Sequence, residues 1–365
     1  MAPIRILLVD DSLVIRKLLS DTLAKDPALV IVGTASDGRM ALTKIPTLKP
    51  DLITLDIEMP LMNGLETLAA IRKLYPKLPV IMFSALTEDG AKATLDALAL
   101  GASDYATKPS NAGGIVLAGE HLRSELIPKI KALCGTTAFK IVPPIHPRRV
   151  LPAPGRNQPL EIVAIGTSTG GPNALAKVLP MLPRDFPVPI LVVQHMPPVF
   201  TRLLAERLNA NSGIKILEGV AGTLLTAGHA YIAPGNFHMT VTRTGMNCRL
   251  ALNQGPPENS CRPAVDALFR SVATAYGPNT LAVVMTGMGS DGLNGAEAIR
   301  AASGEIIVQD EASSVVWGMP GLVHASGLAD GTYPLEKLAH EITRRIHRAR
   351  AGVLTTSATL GHGAQ

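Results

Sequence analysis

Aromatic residues make up only 3% of this chain, and tryptophan occurs once. Its cores must therefore be aliphatic, built from Leu, Ile, Val, Ala and Met. Charged residues are also sparse, at 17% against 47% hydrophobic residues, a balance that describes a globular chain with sizeable cores. Long apolar runs are missing: none approaches the ~18 residues of a membrane span, which excludes direct membrane insertion. The opening MAPIRILLVDD is cut short by Asp10 and Asp11, and no small-residue cleavage site follows. It reads as a first strand and not as a signal peptide. The three cysteines, Cys134, Cys248 and Cys261, have no metal-ligand spacing, which reads as reduced thiols in a cytoplasmic protein. A basic recognition element is lacking as well. The net charge of +5 is mostly a property of residues 136–159, with Lys140, Arg148, Arg149 and Arg156 and no acid. Residues 1–135 balance 15 basic against 15 acidic residues. No basic helix or basic–aromatic stripe is present, which excludes a nucleic-acid partner.

What is present is strand–helix alternation in two blocks, and 365 residues suit two domains. In residues 1–134, apolar strands near 4–9, 29–34, 52–57, 80–84 and 105–107 alternate with amphipathic helices, the first capped by Ser12. Pro46 and Pro128 fall inside predicted helices as local conflicts. Five such units imply a doubly wound parallel α/β sheet, with functional groups at the carboxyl ends of the strands. The side chains there are Asp10, Asp11, Asp56, Ser84 and Lys108. Three carboxylates together repel one another unless a divalent cation sits among them, and Asp/Glu oxygens suit Mg²⁺. Lys108 and Ser84 would then meet a phosphoryl group, with Asp56 as acceptor. Any one of these acids alone would be a solvated loop residue; the set is not.

These residues resemble a response-regulator receiver domain of flavodoxin-like fold. The resemblance rests on Asp10-Asp11-Ser12, on Asp56-Ile57-Glu58-Met59-Pro60-Leu61-Met62-Asn63-Gly64, on Ser84-Ala85, and on Tyr105 ahead of Lys108-Pro109. It implies phosphorylation of Asp56 by a histidine kinase, a switch through Ser84 and Tyr105, and often a cis Lys108–Pro109 bond. Residues 135–159 hold six prolines and no periodicity, as a stiff linker would.

Alternation resumes over 160–350 and ends in an amphipathic helix from Leu335 to Arg350, followed by a tail, 351–365, expected to fray. A β-hairpin is predicted over 239–253. The stretch EIVAIGTSTGG, Glu161–Gly171, runs from a strand through a glycine-rich turn into a helix opened by Pro172. Ser168 lies in a G-x-S-x-G frame, and three readings compete: nucleophile on a tight turn, phosphate cradle, or packing turn. His195 directly follows the apolar strand ILVV, and Asp291 follows LAVVM by a glycine-rich turn. Three strands thus deliver Ser, His and Asp to one rim, which favours acyl transfer. No Lys or Arg lies within 166–176 or 286–299, which weakens the phosphate reading. The order Ser, His, Asp differs from the α/β-hydrolase order, so that fold is not implied. His121, His146, His340, His347 and His362 read as surface residues, whereas His229, His238 and His324 have no assigned place.

This second block, of Rossmann-like mostly parallel α/β type, resembles the chemotaxis protein-glutamate methylesterase family, as does the two-domain arrangement. The matching runs are Ala164-Ile165-Gly166-Thr167-Ser168-Thr169-Gly170-Gly171, Gln194-His195-Met196-Pro197, and His229-Ala230-Tyr231-Ile232-Ala233-Pro234-Gly235. They continue in Arg262-Pro263-Ala264-Val265-Asp266 and Thr286-Gly287-Met288-Gly289-Ser290-Asp291-Gly292, with Thr167 as one small departure. The resemblance implies Ser168 as nucleophile, His195 as base and then acid, Asp291 as orienting acid, and an oxyanion hole from the amides of Met288 and Thr169. It implies a glutamyl γ-methyl ester on the cytoplasmic part of a chemoreceptor as substrate and deamidation of particular glutamines, while a receiver tethered by a stiff linker to a hydrolase suggests inhibition until Asp56 is phosphorylated. Two other readings stay open. One is a receptor-docking adaptor with a structural Ser168, and the other is a nucleotide-binding output domain.

Overall fold

In the computed structural model, residues 2–109, 114–135 and 159–359 are described. The linker and the end of the tail lie outside them. Contacts divide the chain into two units, 1–139 and 140–365.

The first unit runs β1 (Ile4–Val9), α1 (Leu13–Leu23), β2 (Leu29–Ala35), α2 (Gly38–Leu48), β3 (Leu52–Asp56), α3 (Gly64–Leu74), β4 (Val80–Ser84), α4 (Glu88–Ala99), β5 (Asp104–Thr107), α5 (Gly114–Leu133). The strands pair in parallel in the order β2-β1-β3-β4-β5. Helix starts follow local chemistry. Ser12 caps α1, Asp37 caps α2, Asn63 and Glu66 form a capping box on α3, and Thr87 caps α4. Pro46 does not break α2, because it falls in the last turn just before the left-handed Lys49. Pro128 is likewise accommodated inside α5. Among the described residues the cis peptide is Arg262–Pro263, so the cis bond implied at Lys108–Pro109 is not found.

The second unit contains β6 (Ile162–Thr167), α6 (Gly171–Val178), β7 (Ile190–Gln194), α7 (Phe200–Ala210), β8 (Lys215–Glu218), β9 (His229–Ile232), β10 (His238–Thr244), β11 (Asn247–Asn253). It continues with α8 (Val265–Tyr276), β12 (Thr280–Val284), α9 (Leu293–Ala301), β13 (Glu305–Gln309), α10 (Met319–Ala325), β14 (Gly331–Tyr333), α11 (Leu335–Thr359). Seven parallel strands lie in the order β14-β13-β12-β6-β7-β9-β8, and β10-β11 form a separate antiparallel hairpin. The hairpin is held to α8 by Ser271, whose Oγ accepts from Val241 N at 3.0 Å, and by Arg243, which donates to Ala275 O at 2.6 Å. The scarce aromatics go to the centre, where Phe83, Phe186, Phe200 and Phe269 are fully buried. α10 and β14 are absent from the sequence reading, being short, with Pro320 in the first turn of α10 and Pro334 just after β14. α11 runs to Thr359, beyond the expected Arg350. Among the described residues no helix is long and apolar enough to cross a membrane.

In each sheet the chain reverses its winding beside the first strand. It does so between β1 and β3 in one unit and between β6 and β12 in the other. Open parallel sheets bind ligands at the carboxyl ends of such strands.

Candidate phosphoacceptor pocket and active site

At the β1/β3 reversal, Asp10, Asp11 and Asp56 bring carboxylate oxygens within 4.8 Å of one another. Lys108 Nζ lies 2.7 Å from Asp56 Oδ1 and 3.3 Å from Asp10 Oδ2. Asp10 and Asp56 are buried, yet Asp56 Oδ2 has no hydrogen-bond partner among the described residues. Burial, only partly offset by Lys108, raises Asp10 above the usual carboxylate range and raises Asp56 to about 6. A buried, partnerless carboxylate oxygen beside two other acids fits a hard divalent cation. Ser84, at the end of β4, turns its hydroxyl to Gly90 O at 3.0 Å and to Ala85 O at 3.3 Å. The Tyr105 ring is buried, with Lys129 over its face at 4.8 Å.

In the second unit the three central strands carry the predicted residues. β12 pairs with β6 and β6 with β7, with Val284 opposite Gly166 and Thr167 opposite Gln194. Ser168 and His195 therefore leave adjacent strand ends, and His195 N donates to Thr167 O at 3.3 Å. The loop after β12 is clamped to the same turn. Thr286 O accepts from Ser168 N and from Thr167 Oγ1, both at 3.0 Å, and Thr286 Oγ1 donates to Thr169 O at 2.9 Å. Gly287 is needed there, because a Cβ on it would lie 2.9 Å from Ser168 Cβ. Gly171 is needed too, since its Cβ would fall 1.9 Å from Gln194 Oε1, while Gln194 Nε2 donates to Ser168 O at 3.0 Å. Gly170, at φ +78°, takes the left-handed turn into α6. The Met288 amide follows Gly287 and has no hydrogen-bond partner among the described residues.

His195 Nε2 and Asp291 Oδ2 are 2.8 Å apart. A carboxylate only accepts, so Nε2 carries the proton and Nδ1 has the free lone pair of the neutral ring. Nδ1 lies 3.5 Å from Cys261 Sγ. Both ring nitrogens are thus engaged, and Ser168 is next to the pair without a hydrogen bond to it among the described residues. Asp291 is saturated. Oδ2 also accepts from Val265 N at 2.6 Å, and Oδ1 accepts from Asp266 N at 2.9 Å, Gly292 N at 3.0 Å and Asn259 Nδ2 at 3.1 Å. Burial disfavours its charge, but the His195 bond and the backbone amides hold it below the usual carboxylate range. Burial likewise disfavours an imidazolium at His195, and the Cys261 sulfur and Asp291 outweigh it, lifting the ring to about 10. Burial raises Asp266, behind Asp291, even though it accepts from Gly295 N and Gly292 N at the start of α9.

Sequence reasoning passed over Asn259 and Cys261. The available signal was their position just before Arg262-Pro263-Ala264-Val265-Asp266. Of the unplaced histidines, His238 is buried with Nε2 at 3.0 Å from Pro256 O, and His324 Nδ1 meets Thr332 Oγ1 at 2.9 Å.

Residues 6–118 match the family described as response regulator receiver domain, and residues 163–342 match CheB methylesterase. A protein-glutamate methylesterase/protein-glutamine glutaminase of Trichodesmium erythraeum is 52% identical, covering 95% of this chain and all of that protein. The chain belongs to the protein-glutamate methylesterase/protein-glutamine glutaminase family. A member from a Nocardioides species is 49% identical over 98% of this chain and its own full length. The crystal structure of the Thermotoga maritima CheB methylesterase catalytic domain is 41% identical, with a TM-score of 0.50, covering 50% of this chain and 97% of that one. The Ser168 rim lies within the matched methylesterase segment, and Asp56 within the matched receiver segment.

Proposed function

We propose that the chain hydrolyses glutamyl γ-methyl esters on the cytoplasmic part of a chemoreceptor, and deamidates particular receptor glutamines, when its receiver is phosphorylated. The observation that carries this is the buried His195–Asp291 pair at the strand end next to Ser168, within a family of that activity.

The steps follow from the geometry. Asp291 holds the Nε2 proton, so His195 takes the Ser168 proton on Nδ1. Ser168 Oγ attacks the ester carbonyl, and the oxyanion develops toward the amides of Met288 and Thr169. Losing one such donor typically costs ~10²–10³ in rate. The proton on Nδ1 passes to the departing methoxide, which leaves as methanol, or as ammonia from a glutamine amide. Water then enters, gives its proton to His195, and releases the glutamate carboxylate and Ser168.

In the receiver, a carboxylate oxygen of Asp56 accepts the phosphoryl group from the phosphohistidine of a sensor kinase, and the imidazole of the kinase leaves. Lys108 offsets the added charge, and the Ser84 hydroxyl is placed to turn from Gly90 toward a phosphoryl oxygen, with Tyr105 following. Asp10, Asp11 and Asp56 would hold Mg²⁺, which when bound supplies positive charge to the phosphoryl oxygens. The unphosphorylated receiver inhibits the esterase unit, and phosphorylation of Asp56 releases it. The chain acts on the cytoplasmic side, where such a substrate and kinase lie.

The deciding experiment measures methanol release from methylated receptor membranes, with and without a small-molecule phosphodonor. Release should rise with the donor and disappear in Ser168→Ala. A Ser168→Ala chain that keeps its function would make the protein an adaptor. Removing residues 1–140 should raise basal release; an unchanged or lower rate would refute restraint by the receiver.

A further inference from the structure

The turn Glu258–Cys261 closes over the His195–Asp291 pair. Glu258 N donates to Cys261 O at 3.1 Å and Cys261 N to Glu258 O at 2.8 Å, around Asn259 at φ 50° and Ser260 at φ 62°. Two consecutive left-handed non-glycine residues persist only where their surroundings enforce them. Arg270 pairs with Glu258 at 2.6 Å, and Asn259 Nδ2 donates to Asp266 Oδ2 at 3.0 Å and Asp291 Oδ1 at 3.1 Å. Arg262 donates to Asn236 Oδ1 at 2.6 Å and to Gly255 O at 3.0 Å. The outcome of this bracing is the placement of Cys261 Sγ, 3.5 Å from His195 Nδ1. Asp291 occupies Nε2, so Nδ1 is the nitrogen that must take the Ser168 proton. A Ser168 hydroxyl that is to give its proton to Nδ1 has to displace the thiol.

We propose that Cys261 is a positioning residue of the esterase, holding the base nitrogen of His195 in the resting enzyme and yielding it to Ser168 during acylation. The proposal rests on the Ser168–His195–Asp291 reading. A thiol is a weaker donor than a hydroxyl, so it fixes the ring and is readily displaced. It also changes how the base titrates. When the ring is charged, Nδ1–H faces the Cys261 sulfur at 3.5 Å, a contact that favours the imidazolium. The other ionisable groups facing the ring are Asp291 and, behind it, Asp266, with Arg270 further along α8. None of these changes in a Cys261 variant.

The test is the pH dependence of methanol release, from pH 5 to 10, by the full-length chain activated with a small-molecule phosphodonor. Cys261→Ala should move the acid limb of kcat/KM down by about half to one pH unit, the worth of one lost hydrogen bond. Cys261→Ser keeps a donor and should restore the limb. In parallel, methyl methanethiosulfonate is applied. The Cys261 thiolate attacks its sulfur, methanesulfinate leaves, and a methylthio group then occupies the space at Nδ1. Wild type should lose release and regain it with dithiothreitol, while Cys261→Ser, which keeps Cys134 and Cys248, should be untouched. An acid limb in Cys261→Ala that stays in place or rises overturns the proposal. So does equal inactivation of wild type and Cys261→Ser, which also covers an Ala variant that does not fold. Ser168→Ala separates the two levels. If it remains active, the reading of the triad fails. If it is dead and the Cys261→Ala limb has not moved, only the role of Cys261 fails.

Discussion

Replacing Asp291 by Asn changes one atom and tests the assignment of the base. The carboxylate accepts at Oδ2 from His195 Nε2 and Val265 N, and at Oδ1 from Asp266 N, Gly292 N and Asn259 Nδ2. An amide has one oxygen and one NH₂. If the NH₂ takes the Oδ1 place, it faces three donors; if it takes the Oδ2 place, it faces Val265 N and His195. The second is the cheaper choice, because His195 can answer by moving its proton to Nδ1. Leaving Val265 N opposed costs about 1–3 kcal/mol of stability. The catalytic cost is larger: with its proton on Nδ1, the ring cannot accept from Ser168, and a wrong tautomer of this kind lowers kcat by ~10⁴. The assay is methanol release by the phosphodonor-activated chain, alongside thermal unfolding to show that the variant is folded. A fall in kcat of less than about tenfold, in a folded variant, would refute the claim that Asp291 fixes the His195 tautomer.

Three further outcomes are expected. Asp56 titrates near 6 when folded, above its ordinary 3.8, so its contribution to stability is full below about pH 4 and is lost as pH rises through 6. Asp56→Asn should therefore unfold at higher temperature than wild type at pH 8 without metal, by on the order of 1–3 kcal/mol, with the gap narrowing at pH 5 and on adding Mg²⁺; a gap independent of pH would refute this. Arg345 is buried and donates to Glu341 Oε1 at 2.6 Å, Glu305 Oε2 at 2.5 Å and Tyr333 OH at 3.2 Å. Arg345→Ala leaves two buried carboxylates with Arg344, Arg348 and the Tyr333 hydroxyl as partners, and urea titration should show a loss of about 3 kcal/mol. Gly171→Ala must expel the Gln194 side chain from beneath Ser168 and crowd Thr167 Oγ1, so kcat should fall about 10²-fold and stability by about 1–3 kcal/mol; unchanged kcat in the folded variant would mean Gln194 has no part in placing Ser168.

What could be read in advance was whatever sits at the end of an apolar run. Asp10, Asp56, Lys108, Ser168, His195 and Asp291 each lie at or just beyond a strand, and a parallel sheet brings such positions to one edge whatever the details of packing. The same logic could not reach Asn259 or Cys261. They lie in a segment without periodicity, and their placement depends on two left-handed residues that carry no glycine to announce them. Their partners, Asp291 and His195, are 32 and 66 positions away. β14 and α10 were hidden for a simpler reason: three and seven residues are too few to show a period.

The two buried aspartates make the general point about environment. Asp56 and Asp291 are the same residue, equally withdrawn from water, yet burial prevails in one and loses in the other. At Asp291 the turn into α8 and the turn into α9 direct Val265, Asp266 and Gly292 amides at the carboxylate, so its charge is already satisfied before any substrate arrives. That is what a fixed orienting group needs, since it must not accept the proton that passes through His195. At Asp56 one oxygen meets Lys108 and a long Glu58 amide contact at 3.4 Å, and the other has no hydrogen-bond partner among the described residues. An acceptor needs that incompleteness, because an oxygen saturated by amides would have to break those bonds before it could attack phosphorus. Filling the gap at Asp56 with fixed donors would therefore make the receiver more stable and less able to be phosphorylated, whereas removing a donor from Asp291 would make the second unit less stable and its base less well oriented.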